Sequence, residues 1–103
     1  MRRLSAKLRA VQGGILHFCP ACNEPHMIGL GWRFDGNVDA PTFEPSVRLS
    51  TKRDDHGERL SGGQSRTLCH YHLRGGVIEY CSDSPHALAG QRVPLPDHPT
   101  SWG

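Results

Sequence analysis

The sequence predicts a mostly β fold: a small antiparallel, barrel-like sheet with a zinc knuckle and one short helix. Three observations carry this. Apolar residues recur at period two in short runs, the mark of half-buried strands. Twelve glycines and eight prolines cut those runs apart. Four cysteines, two of them in Cys19-Pro20-Ala21-Cys22, stand where a metal ion can tie strands together. At 103 residues the chain is read as one domain, residues 1–103. Only 36% of it is apolar, so its core needs a staple, and the cysteines supply one.

Leu8 to Val11 reads as a first strand, and Gly13-Gly14 as a turn. Ile15-Leu16-His17-Phe18 leads into the knuckle. From His26 to Phe34 the apolar positions Ile28, Leu30, Trp32 and Phe34 alternate, which predicts one strand despite Gly29 and Gly31. Asp35-Gly36-Asn37 is a turn. Pro41-Thr42-Phe43-Glu44-Pro45 is extended and irregular, because its prolines forbid a helix and interrupt a ladder. Ser46 to Ser50 alternates and is a strand. The polar stretch 52–66 is an exposed loop.

Thr67 to Arg74 and Val77 to Cys81, joined by Gly75-Gly76, form a hairpin that places Cys69 roughly opposite Cys81. Ser84 to Gly90 reads as the helix, capped by Asp83 or Ser84, with Pro85 in its first turn and Gly90 at its end. The tail from Gln91 carries three prolines and runs extended over the surface. Trp32, Phe34 and Phe43 are core residues on this reading, and His17, His56, His72 and His98 are exposed or incidental.

Charge and hydropathy exclude several function classes. A net charge of +2 gives no electrostatic footprint for nucleic acid, so a nucleic-acid-binding zinc ribbon is disfavoured. The one locally basic stretch, Arg2, Arg3, Lys7 and Arg9, reads as a solvated end. No run approaches the ~20 apolar residues of a membrane span. No secretory signal is apparent, so a reducing cytoplasm is expected. There a Cys-x-x-Cys is metal-binding or redox-active. A redox pair wants a helix starting at its first cysteine, and Pro25 leaves no length for one.

Zn2+ is therefore the expected cofactor. Cys19 and Cys22 are the first two ligands and Cys69 the third. Cys81, His86 and His26 compete for the fourth place. Four protein ligands make a structural ion, whereas three and a water make a catalytic one. The chain has no His-Glu-x-x-His motif and no nucleobase-deaminase signature, so the structural reading is preferred.

With the cysteines assigned, Ser46, His70 and Asp83 form a candidate relay. Ser46 follows Pro45 on a rigid corner. His70 adjoins Cys69 on a strand, so one faces the metal while the other faces the opposite side. A serine nucleophile needs a neighbouring base, and the base needs a carboxylate to fix its tautomer. His86 is an alternative base, and the helix start offers oxyanion donors. The bland readings are a strand-start serine, a half-buried histidine beside the metal, and an aspartate helix cap.

Several segments together resemble a small family of unknown function found in phages, prophages and bacterial genomes. They are Phe18 to His26, Gly31 to Asn37, Pro41 to Val47, Cys69-His70, and Asp83 to Gln91. The label "ammonia monooxygenase" sometimes attached to this family does not fit a chain with no membrane segment and no copper site. Some relatives look like the peptidases of bacterial operons that conjugate ubiquitin-like proteins. The resemblance implies a serine peptidase with Ser46, His70 and Asp83 as its catalytic residues and Cys19, Cys22 and Cys69 as metal ligands. In the family an apolar residue is common where Cys81 stands, which favours a histidine, His86, as fourth ligand. The expected function is thus a zinc-stabilised serine hydrolase or peptidase acting on a ubiquitin-like protein or its conjugates. The alternative is a non-catalytic zinc module of phage or prophage origin that binds a protein partner.

Overall fold

The computed structural model describes residues 1–102. The chain forms two antiparallel sheets. The first holds β1 (Arg2–Arg3), β2 (Arg9–Val11), β3 (Gly14–Cys19) and β4 (Glu24–Gly29), in that order. The second holds β5 (Arg33–Phe34), β6 (Phe43–Thr51), β7 (Arg66–Arg74), β8 (Val77–Tyr80) and β9 (Arg92–Pro94), again in chain order. Both are meanders, in which strands consecutive along the chain are neighbours in the sheet. Among the described residues no helix is long and apolar enough to cross a membrane.

Side-chain alternation decides what each strand buries. On β7, Cys69, Tyr71 and Leu73 point inward and are fully buried, while His70, His72 and Arg74 face out. On β8, Ile78 and Tyr80 pair across from Leu73 and Tyr71 and share their face. Phe43 and Val47 of β6 complete this layer. Leu8, Cys19 and Ile28 come to the core from the first sheet. Gly14 lets β3 approach β4: a Cβ there would come within 2.3 Å of the Ile28 carbonyl oxygen. The β7–β8 turn is Gly75-Gly76, with φ of +56° and +76°, the left-handed pair that a two-residue hairpin requires.

The inner layer is partly polar. Tyr71 Oη is hydrogen-bonded to His17 Nε2, and His26 Nδ1 lies 3.2 Å from the same oxygen. His17 and His26 are cross-strand partners on β3 and β4, so this one hydroxyl ties the two sheets. Burial, with the neighbouring His26, lowers the His17 pKa to about 3 and keeps its ring neutral. Tyr71→Phe leaves two buried imidazole nitrogens unpaired. It is expected to cost about 1–3 kcal/mol, read as a lower urea midpoint with an unchanged slope.

Four expectations are corrected here. The strand foreseen over residues 26–34 is broken: β4 stops at Gly29, Leu30 is 81% exposed, and Arg33–Phe34 joins the other sheet. Its alternating pattern belongs to two strands in two layers, and Trp32 N–H closes the intervening turn on the Gly29 carbonyl. The helix over 84–90 does not form. Isolated turns replace it, Ser84 N–H bonding to Cys81 O, Ala89 N–H to His86 O and Gln91 N–H to Leu88 O. Seven residues are too few to pay for nucleation without a packed face. The proline-rich tail is not merely superficial, since Leu95 and His98 are both buried. His17 is buried as well, not incidental. Phe43 is core as expected, stacked on Phe34 at 4.7 Å.

Candidate active site and metal centre

Two clusters of reactive side chains hang on opposite faces of β7. The inward one contains Cys19, Cys22 and Cys69, whose sulfurs all lie within 4.8 Å of one another. Cys19 ends β3 and Cys22 sits in the turn to β4. Asn23 adopts a φ of +55°, and its N–H donates to the Cys19 carbonyl at 2.8 Å, which closes the knuckle. Cys69 arrives from the second sheet. His86 Nε2 is 3.3 Å from Cys69 Sγ, the spacing of two ligands sharing one ion. The three thiols are a donor set compatible with Zn2+, and an ion there would cross-link the two sheets. His86 touches Cys69 and stands outside the group of mutually close ligand atoms.

The electrostatics of the cluster point the same way. The Cys19 pKa is lowered to about 5, first by a hydrogen bond from the Cys69 thiol and further by Tyr80 Oη, which lies 3.1 Å from its sulfur. Cys69 is pushed upward for the complementary reason. Cys22 rises to about 11 through burial and the Cys19 charge. Packed this closely, the sulfurs oppose one another's ionisation. A cation is what allows all of them to ionise.

His26 also borders this cluster. It is buried, and its Nε2 has no hydrogen-bond partner among the described residues. Cys81 does not join it. The hairpin register pairs Tyr71 with Tyr80, and the Cys81 N–H donates to the His70 carbonyl at 2.9 Å. Cys81 therefore stands opposite His70 rather than Cys69. A one-residue slip in register moves a side chain to the other face.

The outward cluster contains Ser46, His70 and Asp83. Ser46 Oγ lies 3.1 Å from His70 Nε2. On the far side of the ring, Nδ1 lies 2.9 and 3.1 Å from the two Asp83 carboxylate oxygens. This contact fixes the tautomer: Nδ1 carries the proton and donates it to Asp83, leaving Nε2 to accept from the serine hydroxyl. The hydrogen bond from His70 is also the main cause holding the Asp83 pKa below its ordinary value. Ser46 and His70 are half-buried, and Asp83 is exposed.

Neighbouring groups fix these three in place. Ser46 and Arg48 lie on one face of β6, and Arg48 is the cross-strand partner of His70. The pairing of β6 with β7 is irregular between Phe43 and Val47, just where Ser46 lies. Trp32 Nε1 donates to the Ser46 carbonyl at 3.2 Å. Ser84 is buried and brackets His70, accepting from its N–H at 3.0 Å and donating to its carbonyl at 2.7 Å. Sequence reading placed Trp32 in the core and Ser84 at a helix cap. No pattern signals that a side chain will bond a backbone carbonyl on another strand. The absence of the helix also removes the oxyanion donors expected at its start. A cleft of about 570 Å3 opens beside Ser46, lined by Arg33, Glu44, Pro45, His72 and Arg74.

No curated protein and no solved structure matches the chain. A family model does, over residues 2–81, and it describes a serine protease of a bacterial ubiquitination-like system. Ser46, His70 and the three clustered cysteines lie inside that span, with Asp83 and His86 just beyond it. The match covers most of the chain, which therefore belongs to the BubE family of bacterial ubiquitination-like system serine proteases.

Proposed function

We propose that this protein is a zinc-stabilised serine peptidase that cleaves the amide bond at the C-terminal tail of a ubiquitin-like protein, either from a precursor or from a conjugate. The observation that carries the reading is the unbroken hydrogen-bonded chain from Ser46 Oγ through His70 to Asp83. Ser46 attacks the scissile carbonyl as His70 Nε2 takes its proton. His70 then returns that proton to the leaving amine, and water hydrolyses the acyl-enzyme by the same route. Asp83 holds the imidazole in the competent tautomer and offsets its positive charge. The family's description supports a protein substrate. An extended tail is what an open cleft along a strand admits most readily.

Zinc, held by Cys19, Cys22, Cys69 and His86, supplies a cross-link between the sheets in this reading. It takes no part in the chemistry, because Cys69 and His70 point to opposite faces of β7. Free thiols and a thiolate-bound zinc ion suit the reducing bacterial cytosol, where we place the reaction.

A fluorophosphonate probe tests the assignment. It is expected to label the folded, zinc-loaded protein once, on the peptide containing Ser46, and to leave urea-unfolded protein unmodified. An unlabelled folded protein would return the chain to the alternative of a non-catalytic zinc module that binds a protein partner.

A further inference from the structure

One side chain on the outer face has no role in this chemistry. Cys81 is the cross-strand neighbour of His70, and its side chain is half-buried beside the relay. The ligand atoms of His70, Cys81 and Asp83 all lie within 4.8 Å of one another. Nitrogen, sulfur and carboxylate oxygen are together a donor set for a borderline-soft divalent ion. His70 Nδ1 and Asp83 Oδ1, hydrogen-bonded at 2.9 Å, need to separate by only about 0.5 Å to flank one tetrahedral zinc. Asp83 is exposed, so an ion can enter from solvent. This trio is separate from the thiol cluster, which lies across β7 on the inner face.

We propose that His70, Cys81 and Asp83 form a second, inhibitory site for Zn2+. The inference rests on the peptidase reading of Ser46, His70 and Asp83 and adds a regulator to it. Binding releases the Cys81 thiol proton to solvent and brings a thiolate and a carboxylate to the ion. His70 must then offer the Nδ1 lone pair, so its proton moves to Nε2. A protonated Nε2 cannot accept from Ser46, and Asp83 is drawn from the ring to the ion. The catalytic tautomer and the metal-bound tautomer exclude each other, so occupancy switches the nucleophile off without disturbing the fold.

The test starts from protein carrying one structural zinc and adds free Zn2+ at micromolar levels. Equilibrium dialysis counts bound ions, and fluorophosphonate labelling reports the nucleophile. Wild type is expected to bind a second ion and to label at least about tenfold more slowly when it does. Cys81→Ala is expected to bind one ion only. Its labelling without added zinc should match wild type, and the zinc needed to slow it should rise by about tenfold or more. Cys81→Ser keeps the bulk of the side chain and should behave alike if the alanine variant folds poorly. A wild-type protein that binds no second ion, or a Cys81 variant as sensitive as wild type, overturns the proposal. A second ion lost with Cys81, in a protein that never labels at any zinc level, leaves the ion site standing. It removes the inhibitory role together with the peptidase reading.

Discussion

Ser46→Ala is expected to reduce cleavage of a ubiquitin-like protein bearing a C-terminal extension by about 10^4-fold or more. The alanine removes the atom that becomes acylated, the hydroxyl that is bonded to His70 Nε2. Ser84, the other serine near this ring, is engaged at both its donor and its acceptor by the His70 backbone. Stability should hardly move. Ser46 is half-buried, its hydroxyl bonds to the outward nitrogen of His70, and its carbonyl keeps the bond from Trp32. A shift within about 0.5 kcal/mol is anticipated. The loss should therefore appear in kcat with the melting curve in place. Activity retained by a well-folded Ser46→Ala protein would exclude the relay, whatever its geometry.

How far the sequence foretold this arrangement depends on which physical signal each residue carries. Adjacent Cys69 and His70 were assigned to opposite faces because a strand alternates with period two, and no tertiary knowledge was needed. The knuckle was legible because Cys-Pro-x-Cys spacing fixes a local turn. The register of the β7–β8 hairpin differs by a single residue from the one that sets Cys69 opposite Cys81, and that step alone puts Cys81 on the outer face. Period-two patterning also failed between Gly29 and Arg33, where the chain leaves one sheet for the other while its apolar positions continue to alternate. The 84–90 segment bears helix-terminus residues, yet Ser84 serves to bracket the backbone of His70 in the middle of β7. Tyr71 was invisible as a sheet-to-sheet tie, because its partners His17 and His26 lie more than forty residues away. Long-range polar pairing leaves no local periodicity to read.

Chelation should have the largest effect on stability. Structural zinc sites bind with apparent free energies of about 10–16 kcal/mol near neutral pH, whereas a whole domain is held by only about 5–15 kcal/mol. Other ties between these sheets include the Tyr71 hydroxyl contacts, the Tyr80 contact to Cys19 and an apolar layer, each contact worth about 1–3 kcal/mol at most. Stripping such an ion would also leave three crowded sulfurs that oppose one another's ionisation. Prolonged treatment with a strong chelator is expected to lower the melting temperature by more than about 20 °C, given about 4–8 °C per kcal/mol for a domain of this size. Cys19→Ser should reproduce the loss without chelator, because it removes a fully buried ligand on which the other two depend. Cys81→Ala should not, since that sulfur lies across β7 from the cluster. The contrast separates a metal that holds the sheets together from one that merely adheres to thiols. If purified protein carries no zinc by elemental analysis and melts alike with and without chelator, the sheets must be joined by packing alone. The inward cysteines would then be ordinary buried thiols.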